Sequence, residues 1–180
     1  MNTDKCLTKE QLISQLENAK NNYIISLAAI SLLSSKKSLE LLHESNVNFG
    51  KYVVNFSQIT NMFLNSKDKE IAVKEFLKSN IRALIKESFE LVKSYCKDND
   101  QMSILESQDW FQFSRLIRNA ISHNYKFSFS SFDRRILPVL WNNRIINEHM
   151  NNKYLELDLL GYDGFWELFL EFERFVHHKL

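Results

Sequence analysis

Residues 69–95 read KEIAVKEFLKSNIRALIKESFELVKSY, and this stretch decides the fold class. Its apolar residues recur every three or four positions, as they do on the buried side of an amphipathic helix. A strand would instead alternate with a period of two. The spacing therefore predicts one long helix, and the residues that carry it are Val73, Phe76, Leu77, Ile81, Leu84, Leu91 and Val92.

A second long helix is predicted N-terminal to the first. Thr8 and Gln11 stand in the positions of a capping box, in which each side chain bonds the backbone of the other residue. We therefore expect the helix to begin near residue 9. Its apolar stripe continues, after a break at residues 34–35, through Leu42.

The composition agrees with a helical protein. Of 180 residues, 44% are hydrophobic and 25% are charged, which excludes a disordered or fibrous chain, and 3 Gly with 1 Pro leave little material for a turn-rich barrel. Cys6 and Cys96 are too few for a disulfide framework and lack zinc-ligand spacing, which favours a reducing compartment. The most apolar run, residues 23–33, is about half the roughly 20 residues that a membrane helix needs. We expect a soluble cytoplasmic protein without a membrane segment.

The hydrophobic period changes after residue 125, which predicts a β insert over residues 127–160. Phe127, Phe129 and Ser131 alternate with polar positions. Alternation with a period of two is typical of a strand that buries one face.

The insert also contains a predicted hairpin. Residues 144–150 and 153–159 are expected to pair across the asparagines at 151–152, because asparagine tolerates the positive φ of a two-residue turn. A final amphipathic helix is predicted over residues 163–180. We therefore expect a single domain, residues 1–180, that is mainly α and has a small β-hairpin insert before the last helix.

A shorter helix, predicted over about residues 107–124, carries much of the basic charge. Ser107 is expected to cap it. Five of the seven arginines fall between residues 115 and 144, and residues 110–147 carry a net charge of +5 in a chain whose total is +1. Arginine suits a planar, bidentate grip on phosphate. An incidental basic surface is the alternative.

The polar side chains of this helix gather away from its apolar face. On a regular helix Arg115, Asn119 and His123 share one face, and Arg118 lies beside them. Arg118 and His123 are five residues apart, so they point roughly 140° from each other on a straight helix. Their joint action requires a long arginine reach, distortion near the helix end, or a second subunit.

The octapeptide from Arg118 to Tyr125 resembles the signature of the HEPN superfamily of small helical domains. The ribonuclease motif of that family is Arg, four to six residues with a polar one first, and then His. One toxin branch adds any residue and a Tyr. Arg118, Asn119, His123 and Tyr125 stand in these positions.

The resemblance extends to residues 8–125 and 163–180, where it implies a HEPN-like antiparallel helical bundle. It also implies a metal-independent RNA endonuclease, a toxin or defence effector, that needs no cofactor. The family works as a homodimer in which the two motif helices face each other. In the toxin branch a nucleotidyltransferase antitoxin inactivates the enzyme by attaching AMP to the motif tyrosine, which would be Tyr125 here.

Residues of these types can cleave RNA without a metal. Histidine serves as base or acid at neutral pH, which fits His123 to take the 2′-OH proton or to protonate the leaving 5′-oxygen. Arg118 would bind and polarise the scissile phosphate, since arginine does not deprotonate in proteins. Asn119 would orient the imidazole or hold a phosphate oxygen. Three neighbours are predicted to hold flanking backbone or to stack a base: Arg115, Tyr125 and Lys126.

Structural roles remain open for the same residues. His123 can be a histidine that interacts with the dipole at a helix C-terminus. Arg118 can pair with a carboxylate of the helix over residues 69–95, and Tyr125 can be a core aromatic. At the level of function, the alternative to a nuclease is a non-catalytic HEPN-type module that binds RNA, a nucleotide or a protein.

Overall fold

Helices carry most of the described residues, which confirms the prediction of a mainly α protein. The computed structural model describes residues 7–180, and its α-helices are α1 (Lys9–Leu33), α2 (Lys36–His43), α3 (Ser57–Leu64), α4 (Ser66–Ile81), α5 (Ser88–Asp98), α6 (Met102–Glu106), α7 (Phe111–Ser122), α8 (Ser131–Ile136) and α9 (Gly161–His178). The described residues also form two antiparallel hairpins, β1 (Asn46–Phe49) with β2 (Tyr52–Asn55) and β3 (Val139–Trp141) with β4 (Arg144–Ile146).

The first helix begins and ends where the sequence predicts. The Thr8 amide donates to Gln11 Oε1 at 2.9 Å, and the Gln11 amide donates to Thr8 Oγ1 at 3.3 Å. These reciprocal bonds satisfy two amides that the first turn leaves without partners. α1 ends at Leu33, and α2 starts after the predicted break at residues 34–35.

The β1–β2 hairpin is a feature that the sequence did not predict. Its strands pair Phe49 with Tyr52, so the turn between them has two residues. The first turn residue, Gly50, has φ +60°, a conformation that glycine adopts without a Cβ clash. Every residue of both strands is exposed.

The long helix predicted over residues 69–95 forms with one irregularity. α4 runs into a π-helical segment, Arg82–Glu87, and the helix continues as α5. A π turn closes its hydrogen bonds over five residues instead of four, so it accommodates about one extra residue. Buried side chains continue across the segment: Ile81, Leu84, Ile85, Phe89 and Val92.

The motif helix is shorter than predicted at its N-terminus. α7 begins at Phe111, and Ser107 does not cap it. Ser107 instead follows α6, where its hydroxyl donates to the Ile104 carbonyl at 2.8 Å. The predicted cap is therefore wrong, because Ser107 ends the short helix α6 and α7 begins four residues later. The predicted apolar face is buried, including Phe113 and Ile117.

The hairpin of the insert lies earlier in the chain than predicted. β3 pairs Trp141 with Arg144 of β4, and the turn is Asn142-Asn143, with φ angles of 46° and 60°. A turn does form at residues 151–152, where Asn152 has a φ of 61° and the Lys153 amide donates to the Met150 carbonyl at 3.0 Å. The predicted pairing of residues 144–150 with residues 153–159 is wrong, because β4 pairs with β3 instead. The Asn147 side chain accepts the His149 amide there and starts a short 3₁₀ turn instead of a strand.

The predicted strand over residues 127–131 is also wrong, although its burial pattern is right for the two phenylalanines and fails only at Ser131, which is exposed at the start of α8. Phe127 and Phe129 are buried and their neighbours are exposed. The Phe127 amide donates to the Lys153 carbonyl at 2.9 Å. The Phe129 amide, however, bonds the side chain of Asn151 at 3.0 Å. The Asn151 side chain thus takes the place of a backbone carbonyl on a neighbouring strand, and residues 127–131 do not form a strand.

The closing helix α9 packs its predicted stripe inside the protein. Phe165, Leu168, Phe169, Phe172 and Val176 are buried. The Phe172 ring lies 5.2 Å from the Trp110 ring and 6.0 Å from the Phe89 ring, measured between centroids. Such tilted and edge-on pairs add to the free energy of burial. This aromatic core supports α5 and α7 from one side.

The described residues divide into two compact units. One contains residues 7–20 and 81–180, and the other contains residues 21–80. The first unit holds the π segment, α7 and α9, while the second holds both strands of the β1–β2 hairpin. Within residues 7–180 no helix is long and apolar enough to cross a membrane. The single-domain organisation stays a prediction.

Candidate functional site

The C-terminus of α7 ends in an unusual turn. The His123 amide closes the helix by donating to the carbonyls of Asn119 at 3.0 Å and Ala120 at 3.1 Å. The next two residues, Asn124 and Tyr125, both have left-handed backbone, with φ of 55° and 60°. Asparagine tolerates this region, but an aromatic residue adopts it rarely and at a cost. The chain therefore reverses directly after the predicted catalytic histidine.

Arg118 is held by two neighbours within the same unit. It forms an ion pair with Glu90 of α5, and its Nη1 donates to Asn119 Oδ1 at 2.8 Å. Partial burial lowers the pKa of the guanidinium below its usual value, although arginine remains charged. Arg118 therefore pairs with a carboxylate of the preceding long helix, which is the structural role considered from the sequence. The same side chain also contacts Asn119, as the proposed site requires.

The Arg118 guanidinium is not fully satisfied by these contacts. Its Nε is buried and has no hydrogen-bond partner among residues 7–180. Such groups are uncommon, because a buried donor without a partner costs free energy. The guanidinium therefore keeps a donor that its present neighbours do not use.

His123 lies at the C-cap of α7 and is exposed. Its ring has no hydrogen-bond or ion-pair partner in the described part of the chain. This position suits the dipole of a helix C-terminus. It also leaves the side chain exposed to solvent, so the location fits the structural role and the catalytic role equally.

Arg115 has a structural partner in α8. Its Nη2 donates to Asp133 Oδ1 at 2.6 Å, and its guanidinium lies 5.1 Å from the Phe132 ring. Asp133 also accepts the Ser130 amide and hydroxyl, at 2.8 Å and 2.6 Å, and so closes a capping box. Burial alone would raise the pKa of Asp133, but the bonds from Ser130 and Arg115 lower it below the ordinary value. Arg115 thus anchors α8.

Tyr125 and Lys126 point to different environments. Tyr125 is 4% exposed, which matches the core aromatic of the structural alternative. A transferase could reach its hydroxyl only after local opening of the turn. Lys126 is exposed, while its backbone forms an isolated antiparallel bridge with Tyr154. Its ammonium group is available to solvent.

Arg82 also contacts the turn after α7, which the sequence did not predict. Its guanidinium carbon lies 5.8 Å from the centroid of the Tyr125 ring, from which it can make a cation–π contact. Arg82 comes 36 positions before Arg118 and lies outside the basic window of residues 110–147. Only the three-dimensional packing of the π segment against α7 reveals it.

Most arginines of the basic window form ion pairs with carboxylates in the folded chain. Besides Arg115 and Arg118, Arg144 pairs with Glu167 at 2.9 Å and with Asp163 at 3.5 Å. Arg134 makes a longer, exposed contact with Glu148. Most of these carboxylates lie outside the window, so its sequence charge of +5 overstates the free positive charge on the surface.

Comparison of the chain with family models, with curated proteins and with solved structures finds no match. The functional interpretation therefore depends on the chemistry of the site itself.

The described residues contain neither a cluster of metal-binding side chains nor an exposed thiol. No group of three or more His, Cys, Asp or Glu side chains in residues 7–180 is placed to hold a metal ion. Cys96 is buried, and burial raises the pKa of its thiol to about 11. At neutral pH it is protonated and unreactive. Cys6 lies outside the described residues.

The arrangement combines an accessible proton-transfer group with fixed cationic donors. His123 can exchange a proton, while Arg118 and Asn119 offer hydrogen-bond donors from the preceding turn. Arg82, which lies over the Tyr125 ring, and the next residue in the chain, Lys126, add positive charge. An anionic ligand is the partner that this set of groups favours.

Proposed function

We propose that the protein is a metal-independent RNA endonuclease of the HEPN type, a toxin or defence effector that acts in the cytoplasm. One observation supports the proposal above the others. Arg118 and Asn119 are hydrogen-bonded to each other, and His123 presents an exposed imidazole just after the last turn of the same helix. No group in residues 7–180 forms a hydrogen bond or an ion pair with that imidazole.

The chemistry would proceed by transesterification within the RNA. The 2′-oxygen attacks the neighbouring phosphorus and loses its proton, the bond from phosphorus to the 5′-oxygen breaks, and that oxygen gains a proton. His123 would take the first proton or give the second. Arg118 would stabilise the charge that develops on the phosphate, after it exchanges Glu90 for the phosphate oxygens. Asn119 would keep the guanidinium in place.

A homodimer is part of the proposal. A two-fold axis places the same surface of each subunit against the other, so two motif helices would share one cleft. Arg118 of one subunit could then act with His123 of the other, which removes the angular separation of the two residues on one helix. Size-exclusion chromatography with light scattering measures the mass directly. A strict monomer with full activity would contradict this part.

The activity test uses purified full-length protein and labelled RNA in EDTA. We expect cleavage of RNA and no cleavage of DNA. His123→Ala and Arg118→Ala should each lower the rate by at least about 100-fold, in line with the loss of a general acid or base or of a phosphate-stabilising donor. His149→Ala is the matched control, because His149 is also exposed and lies outside the motif. Equal losses in His123→Ala and His149→Ala would refute the assignment.

A non-catalytic RNA-binding module is the second candidate. The ion pair of Arg118 with Glu90 favours it over the nuclease, because a guanidinium that is already paired with a carboxylate is less free to stabilise a scissile phosphate. The same assay separates the candidates. Intact RNA that nevertheless binds, with an affinity unaffected by His123→Ala, would identify the binding module.

An antitoxin of the nucleotidyltransferase type is a further element of the proposal. It would attach AMP to Tyr125 after the turn opens. Intact-mass spectrometry of the protein co-expressed with its neighbouring gene product would detect an added AMP. Tyr125→Phe should abolish the added mass, whereas Tyr154→Phe, which alters an exposed tyrosine whose backbone bridges to Lys126, should not.

A further inference from the structure

The π segment, Arg82–Glu87, brings a second helix to the motif. Arg82 lies over the Tyr125 ring, and Glu90 pairs with Arg118. Arg82 and Glu90 are eight residues apart, which would separate them by roughly 80° around a straight α-helix. The wider π turn absorbs about one residue and removes most of this angle. Both side chains therefore reach the short stretch of residues 118–125.

Arg82 differs from the other arginines near the motif. Its side chain is exposed, and no carboxylate of residues 7–180 forms an ion pair with it. Arg115 and Arg118, by contrast, each have a carboxylate partner. A guanidinium that lies over a ring face makes no hydrogen bond to the ring, so its N–H groups remain available to another partner. Arg82 is thus oriented by Tyr125 without being neutralised.

We propose that Arg82 binds a backbone phosphate of a single-stranded RNA next to the scissile phosphate. The inference rests on the proposed nuclease and adds a phosphate contact to its site. Tyr125 acts in this scheme as the support of Arg82 and does not touch the RNA, which accounts for the burial of a motif tyrosine. π turns occur frequently at functional sites, and here the turn positions the arginine.

The test measures RNA binding separately from cleavage. A fluorescent single-stranded oligoribonucleotide is titrated with full-length His123→Ala protein, and its anisotropy is followed at several salt concentrations. Adding Arg82→Ala should weaken binding roughly tenfold, as expected for one charge-assisted contact. The slope of log K against log salt should become less negative by about 0.7, the value for one phosphate of a single strand.

Two further variants keep the test informative. Arg82→Lys should restore most of the salt slope, because it keeps the positive charge. Arg174→Ala removes an arginine that lines a separate groove with Trp110 and Trp141, and it should leave affinity and slope unchanged. Equal effects of Arg82→Ala and Arg174→Ala would show a general charge effect and would overturn the inference.

The outcomes for Arg82 and for the nuclease are separable. If the wild type cleaves RNA and Arg82→Ala changes neither KM nor the salt slope, Arg82 is not a phosphate ligand and the nuclease proposal stands. If the wild type binds RNA through Arg82 without cleaving it, the nuclease proposal fails and the phosphate contact stands. In the active enzyme we expect Arg82→Ala to raise KM more than it lowers kcat.

Discussion

The ion pair between Arg115 and Asp133 offers a quantitative test of how the site is built. Asp133 is 3% exposed and accepts bonds from Arg115 and Ser130. Asp133→Ala removes the two bonds that Ser130 donates to this carboxylate in the capping box, which costs about 1 kcal/mol. It also leaves the Arg115 guanidinium without its carboxylate, which costs about 2 kcal/mol more. The sum of about 3 kcal/mol lies at the low end for a broken buried pair, because the Arg115 side chain retains 19% exposure.

Urea unfolding followed by tryptophan fluorescence measures this loss. All three tryptophans, Trp110, Trp141 and Trp166, belong to the unit that contains Asp133. With a slope of about 2 kcal/mol per molar urea, the midpoint of Asp133→Ala should fall by about 1.5 M. Arg134→Ala is the control, since its exposed contact with Glu148 should be worth less than about 0.5 kcal/mol. A loss below 1 kcal/mol in Asp133→Ala would refute the assigned role.

The stability of this pair should depend on pH in one direction. The folded pKa of Asp133 is lowered, so its carboxylate stabilises the fold above the unfolded aspartate value of about 3.9. That contribution is lost as the pH falls through the lower folded value. The difference in unfolding free energy between wild type and Asp133→Asn should therefore be constant near neutrality and shrink below pH 4. A difference that grows on acidification would contradict the sign of the shift.

Three further outcomes follow from contacts described above. Glu90→Gln in the His123→Ala background should raise RNA affinity severalfold, because Glu90 and a phosphate compete for Arg118; unchanged affinity in the same anisotropy assay would show that Arg118 does not exchange partners. In a Cys6→Ser background, Cys96 should react with a disulfide reagent at pH 8 only on unfolding, since its pKa is about 11; rapid labelling of folded protein would argue against its burial. Phe172→Ala should cost about 3–5 kcal/mol in urea unfolding, as expected for a fully buried aromatic residue, and a near-neutral value would mean that the core around α9 is loose.

Local chemistry made the helices predictable. The capping bonds of Thr8 and Gln11 involve residues three positions apart, so the start of α1 can be inferred from a short window. The stripe of α9 follows from helical spacing in the same way. Predictions of this kind need no knowledge of the rest of the chain.

The β insert was harder because two asparagine pairs offer the same turn chemistry. Asn142-Asn143 and Asn151-Asn152 are equally suited to positive φ, and the partner strands decide between them. The choice depends on side chains such as Asn147 and Asn151, which satisfy backbone amides and prevent a second hairpin. Tertiary hydrogen bonds of this kind leave no periodic signal in the sequence.

The candidate site was predictable in part. The motif residues Arg118, Asn119 and His123 stand out because they lie close together in sequence. Glu90 and Arg82 belong to another helix, so their contacts with the motif arise from packing alone. Net charge over a window was a poor guide, because most of the compensating carboxylates come from other parts of the chain.

The π segment has a consequence for chain length. A π turn contains about one residue more than the α-helical turn it replaces. In a chain that lacks one residue between Arg82 and Glu90, the two residues would be seven positions apart on a regular α-helix. Seven residues are close to two full α turns, so the two side chains would still share a side. Deletion of Ala83 should thus be tolerated, whereas deletion of one residue within α5 would rotate Tyr95 and Cys96 out of the core. In a distant homologue, an arginine seven positions before a glutamate would be the equivalent pair.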